Sequence, residues 1–217
     1  MESEYFYTVQ SGWACSYRNM EDGSRQVLDL YVPGDVIGLR EFAFRRRVSS
    51  LMTITNASLC PFPKHHLTEV FARSRLLCNL FFMMAARDQA ILVERLINLG
   101  RRSAREKVAH FLLEIAHRLD KACADVTDCN HLPLTQVLMA DALGLSTVHV
   151  NRTLNELKQQ ALTAPATDGI TLLNREGLKE VAGFDPEYLQ EDVEALLGSS
   201  RAGGKILERQ KNAIKDR

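Results

Sequence analysis

The chain has 217 residues, of which 46% are hydrophobic and 25% charged, and this composition excludes a disordered or fibrous protein. Its 27 lysines and arginines balance its 27 aspartates and glutamates. A formal net charge of zero excludes a protein that holds nucleic acid by bulk charge alone. It leaves room for a sequence-specific DNA reader whose basic residues are local.

Three absences predict where the protein is found. No run of about 18 apolar residues occurs, so no membrane span is predicted. Residues 1–7 carry two glutamates and no basic residue, which argues against a secretory signal. The five cysteines are odd in number and form no C-x-x-C pair, which predicts reduced thiols and a cytoplasmic protein.

The N-terminal region is predicted to form an antiparallel β unit. Aromatic and β-branched runs, together with alternation of apolar and polar residues, predict strands over 5–10, 13–20, 26–32 and 50–58. Asp22-Gly23 predicts a hairpin between the second and third of these strands. Pro61 and Pro63 are predicted to end the last one.

A long helix with two apolar stripes is predicted to follow. One stripe consists of Leu77, Leu80, Met84 and Ile91. The other consists of Phe81, Ala85, Leu92, Leu96 and Leu99. Two stripes indicate a helix covered on both sides, by the β unit and by the same helix of a second subunit, and we place the predicted dimer interface on the first stripe. The alternative is an ordinary amphipathic core helix.

A second α-rich region is predicted after Gly100, which is expected to end the long helix. Ser103 and Glu106 form a capping box for a helix over 104–119. Helices over 135–143 and 147–160, a hairpin over 162–173 and a helical turn capped by Asn174 are predicted next. Asp185-Pro186 is predicted to begin a last helix, before a basic tail over 201–217 that is predicted to be disordered.

The most specific pattern predicts a helix-turn-helix over 134–160. Ala140 is small enough for two helices to cross closely, and Gly144 tolerates the left-handed geometry of the turn. Thr135 and Ser146 are predicted to cap the two helices. Apolar residues occur at the offsets that pin such helices together, namely Met139, Leu143, Leu145, Val150 and Leu154. The alternative is a helical hairpin whose polar residues are merely solvated.

With that apolar face buried, the second helix is predicted to present its N-terminal half to the major groove of DNA. Arg152 is a candidate for bidentate bonds to guanine, and Asn151 for adenine or a phosphate. Val148 offers only apolar contact, for example to a thymine methyl group. Thr147 and His149 are expected to touch phosphates. Basic residues just before this region are further candidates for phosphate contacts, namely Arg101, Arg102 and Arg105.

These segments resemble the Crp/Fnr transcription regulators over most of the chain, from about Gly12 to Leu189. The recognition motif of that family is similar to GLSTVHVNRTLNEL. The middle strands of its cyclic-nucleotide-binding-like β-roll are similar to SGWACSYRNMEDGSRQVLDLYVPGDVIGL. The end of its dimer helix and the first helix of its winged domain resemble ERLINLGRRSAREKVAHFLLEIAHRL.

The resemblance implies an α+β protein of four parts. They are a partial antiparallel β-roll over 1–66, a long dimerisation helix over 67–100, a winged helix-turn-helix domain over 101–183, and a partly disordered C-terminal extension over 184–217. Family members are homodimers that bind near-palindromic operators in double-stranded DNA, and those that activate transcription also contact RNA polymerase. By position in the motif, the residues that match the family's DNA contacts are Thr147, Val148, Asn151 and Arg152.

The chain departs from the family pattern in three ways. Members that bind cyclic AMP carry Gly-Glu-Leu and Arg-Ser/Ala steps, where this chain has Gly38-Leu39-Arg40 and Val48-Ser49-Ser50. Members with an iron–sulfur cluster have clustered N-terminal cysteines, whereas Cys15 stands alone. The resemblance also implies that the first two or three strands of the roll are absent, either because the start of the sequence is misassigned or truncated or because the roll is reduced. No cofactor is therefore predicted, neither cyclic AMP nor an iron–sulfur cluster.

Other classes of function find little support in the sequence. The spacing of Cys123, Cys129 and His131 matches no common zinc pattern. No nucleophile elbow, phosphate loop or paired-carboxylate motif occurs, so an enzyme is not predicted. The serious alternative is a dimeric sensor or interaction protein of the same fold that lacks productive DNA binding.

Overall fold

The computed structural model describes residues 4–122 and 129–191. The N-terminal strands are β1 Tyr5–Ser11, β2 Ala14–Asn19, β3 Arg25–Tyr31, β4 Val36–Ile37, β5 Ser50–Thr53 and β6 Ser58–Pro63. They form two antiparallel sheets, ordered β4-β1-β6 and β3-β2-β5. The hairpin predicted at Asp22-Gly23 joins β2 to β3. This pair of sheets is the predicted β-roll.

The structure corrects the predicted end of the strand region. β6 contains both prolines, with Pro61 opposite Tyr7 and Pro63 opposite Tyr5 of β1. Proline has no N–H to donate and is therefore found on outer strands of sheets. β6 is the outer strand of its sheet, so the prolines fit there. The two residues of β4 are too few to produce a periodic pattern, and this strand was not predicted.

The region predicted as one long helix contains two. α1 covers His66–Arg73 and α2 covers Arg75–Arg101, with extended backbone at Ser74 between them. The Ser74 hydroxyl accepts the Leu77 N–H at 3.2 Å and caps α2. Gly100 does not end α2, as was predicted, because its φ is not positive and the chain leaves the helix only at Arg102.

By length and composition alone α2 qualifies as a membrane span, with a mean hydropathy of 1.5 over its most apolar 18 residues. Charged residues interrupt the apolar run in the sequence, so α2 was not predicted as a possible membrane span. Two arginines of α2 are nevertheless bound to the β-roll: Arg87 lies 2.9 Å from Asp35, and Arg95 lies 3.0 Å from Asp29. We therefore interpret the apolar surface of α2 as a surface for packing against protein.

The C-terminal region is a winged helix-turn-helix domain. Its helices are α3 Ala104–Ala122, α4 Gln136–Leu143, α5 Thr147–Gln159 and α6 Arg175–Ala182. Its strands are β7 His131–Leu132, β8 Thr163–Ala166 and β9 Gly169–Leu172, in the order β7-β9-β8. The capping box is confirmed, since the Ser103 N–H donates to Glu106 Oε2 at 2.7 Å and the Glu106 N–H to Ser103 Oγ at 3.4 Å.

The chain returns from the winged domain to α2. Where a last helix was predicted, the structure has a 3-10 turn, Pro186–Leu189, capped by Asp185. Leu189 is buried in the main core. Glu191 lies 3.4 Å from Arg87 of α2 and 3.8 Å from Lys121 of α3. The tail that was predicted to be disordered lies outside the described residues.

One hydrophobic core joins the β-roll to the winged domain. Trp13 and Leu30 of the roll belong to the same buried cluster as Leu112 and Ile115 of α3. Cys15 is fully buried in this cluster, and burial raises the pKa of its thiol to about 11. The winged domain is therefore docked on the roll by direct contact as well as joined to it by α2.

Candidate nucleic-acid interface

The helix-turn-helix has the local geometry that the sequence predicts. The Thr135 hydroxyl accepts the Leu138 N–H at 3.2 Å at the start of α4, and the Ser146 hydroxyl accepts the His149 N–H at 3.2 Å at the start of α5. Gly144 adopts φ 62° and ψ 34°, the left-handed conformation that lets the chain turn between the helices.

The inner face of the motif is apolar and closed to solvent. Met139, Val150 and Leu157 are completely buried, and Leu143 nearly so. Thr153, on the same side of α5, is buried as well. Because this packing fixes the rotation of α5 about its own axis, it also determines which side chains face outwards.

The five predicted DNA-contacting residues all lie at the surface, in the N-terminal half of α5. They are Thr147, Val148, His149, Asn151 and Arg152. Val148 is 76% exposed although it is apolar. No described residue forms a hydrogen bond or ion pair with the side chain of Arg152. The helix therefore presents one apolar group and several polar ones on a single protruding surface.

The basic residues proposed for phosphate contacts lie in three different settings. Arg101 is exposed at the end of α2. Arg102 is 2.5 Å from Glu94, in the junction between α2 and α3. Arg105 donates to Gln160 Oε1 at 2.6 Å, at the C-terminal end of α5 and about 20 Å along that helix from its start. The structure does not bring Arg102 or Arg105 to the surface formed by the start of α5.

A wing flanks the same surface. His131 of β7 lies 3.0 Å from Asp168, which stands in the turn between β8 and β9. Between this hairpin and the helix-turn-helix is an open cleft of about 300 Å³. Thr135, Gln136 and Asn155 line the helical side of this cleft.

The free apolar face of α2 differs from the predicted dimer interface. Ile91 is 2% exposed and packs in the core of its own chain, while Leu80 and Met84 are half-buried on that side. Leu77 is exposed near the start of the helix. The opposite side carries what we call the outer face, made up of Phe82, Val93, Leu96 and Ile97, which are 78%, 50%, 62% and 45% exposed. The uncovered apolar face therefore lies about half a turn of the helix away from the predicted dimer interface.

The β-roll has an open groove of about 770 Å³ between its sheets, lined in part by Tyr7, Arg47, Ser49 and Ser50. Three polar residues of the segment 40–47 are bonded to other parts of the roll. Arg40 is 2.5 Å from Asp29. Glu41 is buried and accepts the Ser49 hydroxyl at 2.9 Å. Arg47 donates to the carbonyl oxygen of Tyr5 at 2.9 Å.

No group of three or more metal-ligating side chains occurs among residues 4–122 and 129–191. Cys123, one of the three residues considered as zinc ligands in the sequence, lies outside those ranges. Cys60 is exposed on β6, and the rings of His65 and His66 lie 4.2 Å apart in an edge contact.

Two domain families match the chain. The model of the Crp-like helix-turn-helix domain matches residues 106–181, and the model of the cyclic nucleotide-binding domain matches residues 1–74. These ranges agree with the winged domain and with the β-roll plus α1.

Relatives and solved structures agree with both matches. The nitrogen fixation regulation protein FixK of Bradyrhizobium diazoefficiens is 32% identical over 169 residues, covering 78% of this chain and 70% of the relative. The transcriptional activatory protein AadR of Rhodopseudomonas palustris is 32% identical over 171 residues, covering 77% and 69%. The structure of FixK2 from Bradyrhizobium japonicum has a TM-score of 0.74 at 26% identity, covering 85% of this chain and 90% of that chain. The chain belongs to the Crp/Fnr family of DNA-binding transcription regulators.

Proposed function

We propose that the protein acts in the cytoplasm as a homodimer that binds a near-palindromic operator through two copies of α5. The observation that carries the proposal is the exposed N-terminal half of α5, whose opposite side is locked in the core by Val150 and Leu157. A helix held in this way inserts its protruding side chains into the major groove as a rigid unit.

Each exposed side chain of α5 has a proposed role that follows from its chemistry. Arg152 donates two hydrogen bonds to O6 and N7 of a guanine. Asn151 pairs with N6 and N7 of an adenine. Val148 packs on a thymine methyl group, while Thr147 and His149 contact phosphates that set the register. Arg101 adds a phosphate contact from the end of α2.

The outer face of α2 supports the proposed dimer. Phe82, Val93 and Leu96 are spaced by eleven and three residues and so lie on one side of the helix. A large apolar surface of this kind is costly in water unless a partner covers it. In the proposed dimer, two-fold packing of α2 against α2 is required to hold the two recognition helices about one turn of DNA, about 34 Å, apart.

The signal received by the β-roll is proposed to differ from cyclic AMP. By the family resemblance, Leu39 stands where cyclic-AMP-binding members carry the glutamate for ribose, and the nearby Glu41 is bonded to Ser49. Titration calorimetry with cyclic AMP is expected to show no binding. Heat of binding at micromolar nucleotide would contradict this part of the proposal.

The operator is tested by selection of bound sequences from a random DNA library with the full chain, with and without small-molecule extract. The proposal expects an enriched inverted repeat whose half-sites are separated by about one helical turn. Failure to enrich any inverted repeat would favour the alternative, a sensor or interaction protein that has lost productive DNA binding. If the regulator activates transcription, RNA polymerase is its further partner.

A further inference from the structure

Three side-chain amides form a chain of hydrogen bonds across the helix-turn-helix. Asn151 Nδ2 of α5 donates to Gln136 Oε1 of α4 at 3.0 Å. Asn155 Nδ2 donates in turn to Asn151 Oδ1 at 3.0 Å. Asn151 is therefore held from both sides, by its own helix and by the helix that crosses it.

The two hydrogen-bond partners of Asn151 are held in place by the helices that carry them. Asn155 stands four residues after Asn151, so the two side chains share one face of α5. Gln136 is the first residue of α4, where the Thr135 cap fixes the start of the helix. The contact between Gln136 and Asn151 therefore depends on the crossing of the two helices.

The hydrogen bonds determine what Asn151 offers to DNA. An asparagine amide has two N–H donors and an oxygen with two lone pairs. The bonds to Gln136 and Asn155 use one donor and one lone pair, and so leave one of each. Adenine requires both, because its ring nitrogen N7 accepts a hydrogen bond and its N6 amino group donates one.

The same bonds oppose a flip of the Asn151 amide alone, since that flip would set its oxygen against Gln136 Oε1 and its nitrogen against Asn155 Nδ2. The terminal torsion of asparagine is broad and roughly two-fold, so a free Asn151 would offer its oxygen and nitrogen at exchanged positions. Such a side chain would discriminate poorly between adenine and a base with the opposite pattern. Arg152 lies on the same surface, forms no such bonds within the described residues, and has donors only, so it does not face this ambiguity.

We propose that Gln136 is a positioning residue for base recognition, whose amide holds Asn151 in the orientation that reads adenine. The inference rests on the proposed function, because it assumes that Asn151 faces a base. It adds a residue of α4 to the determinants of operator sequence, although Gln136 itself need not touch any base.

The test uses the operator selected by the wild-type protein and the set of its single-base variants, compared by fluorescence anisotropy. The position read by Asn151 is the one at which Asn151→Ala loses its preference. Gln136→Met keeps the length of the side chain and removes the amide, whereas Gln136→Glu keeps an acceptor oxygen for Asn151. Val137→Ala, at an exposed neighbouring position of α4, is the matched control.

Gln136→Met is expected to reduce the preference for adenine over other bases at the Asn151 position by about fivefold or more. Fivefold is the lower end of the discrimination that a good bidentate contact provides. The position read by Arg152 should be unaffected. Gln136→Glu should bind more weakly overall, because of its negative charge near phosphates, yet retain the preference. Combining Gln136→Met with Asn151→Ala should cost no further discrimination than Asn151→Ala alone.

Two results would overturn the positioning role. One is uniform weakening by Gln136→Met at every base position, which indicates a phosphate contact only. The other is unchanged discrimination at the Asn151 position. In both cases the proposed function stands if Asn151→Ala still loses preference at one position. If the wild-type protein selects no operator, or Asn151→Ala changes no preference, then the proposed role of Asn151 itself is wrong.

Discussion

Arg118 Nη2 of α3 lies 2.7 Å from Asp35 Oδ2 of the β-roll, and the arginine side chain is only 5% exposed. Arg118 also donates to the carbonyl oxygen of Leu30 at 2.6 Å. A cation of the winged domain is thus buried against the β-roll, where it faces Asp29 of the roll and Glu114 of its own helix as well. Burial disfavours the ionised form of Asp29, but Arg95 and Arg118 outweigh this effect and lower its pKa.

Replacement of Arg118 is expected to destabilise the whole chain. Arg118→Met would leave Asp35 and Glu114 buried with less compensating charge, and breaking a buried pair in this way costs about 3–5 kcal/mol. Urea denaturation at neutral pH measures the free energy of unfolding. Arg101→Ala, at an exposed position, should change it by less than about 0.5 kcal/mol. Equal effects of the two substitutions would show that Arg118 does not hold the domains together.

Asp88 is predicted to weaken the folded state once its carboxyl group is ionised. Burial and the nearby Asp29 carboxylate raise its pKa from 3.8 to about 6. The folded state therefore binds a proton more tightly than the unfolded state, and stability falls as the pH rises from about 4 to about 6. Asp88→Asn should increase the free energy of unfolding by up to about 3 kcal/mol at pH 7.5 and have little effect at pH 4.

The free energy of unfolding of Asp88→Asn and of the wild type is measured at both pH values. Taking the difference between the two proteins at each pH cancels the contributions of the other titrating groups. Glu21→Gln, at an exposed position of the hairpin, is the control and should show no such difference. A constant difference across this pH range would contradict the raised pKa.

A charge placed on the outer face of α2 should separate the proposed dimer. Leu96→Glu introduces a carboxylate into an apolar surface, and its burial without a partner is too costly for the subunits to remain together. Analytical ultracentrifugation should show a monomer for this variant and a dimer for the wild type. Leu173→Glu is similarly exposed but lies beside the wing, and it should remain dimeric. A dimer that survives Leu96→Glu would place the subunit contact elsewhere.

Arg152→Ala should weaken binding to the selected operator by about 1–3 kcal/mol and abolish the preference for one guanine. Lys158→Ala, near the other end of α5, should weaken binding equally for all sequences or not at all. The affinity of both variants is measured against log salt concentration, because each lost phosphate contact reduces the slope by about one. An Arg152→Ala protein with unchanged base preference would exclude the assigned role.

The helix-turn-helix could be predicted in detail because its determinants are local. Thr135, Gly144 and Ser146 act within four residues of their own positions, and the structure confirms all three. The order of the main elements followed from hydrophobic periodicity and turn residues in the same way. The prolines of β6 were misinterpreted because the sequence does not reveal that this strand has a neighbour on only one side.

The free face of α2 was predicted only in part, because Leu96 belongs to the second predicted stripe whereas the dimer interface was placed on the first. Arg87 and Arg95 point towards the β-roll, where acidic residues pair with them. The first stripe lies on the same side of α2 as these arginines and therefore faces the β-roll of its own chain. Similarly, the bond between Gln136 and Asn151 joins residues fifteen positions apart and arises only from the crossing of two helices.

The return of the chain to α2 limits how the winged domain can move. At the N-terminal end of the winged domain, Arg102 forms an ion pair with Glu94 of α2. After its C-terminal end, Glu191 forms an ion pair with Arg87 of α2. A body fastened at two points retains one axis of rotation. A third fastening, between Arg25 of β3 and Asp141 of α4 at 2.6 Å, is made to the roll and sets the angle at which that rotation rests. Rotation about that axis would also have to break the buried pair of Arg118 with Asp35 and the hydrophobic core that the two parts share, so the winged domain and the roll are held as one unit.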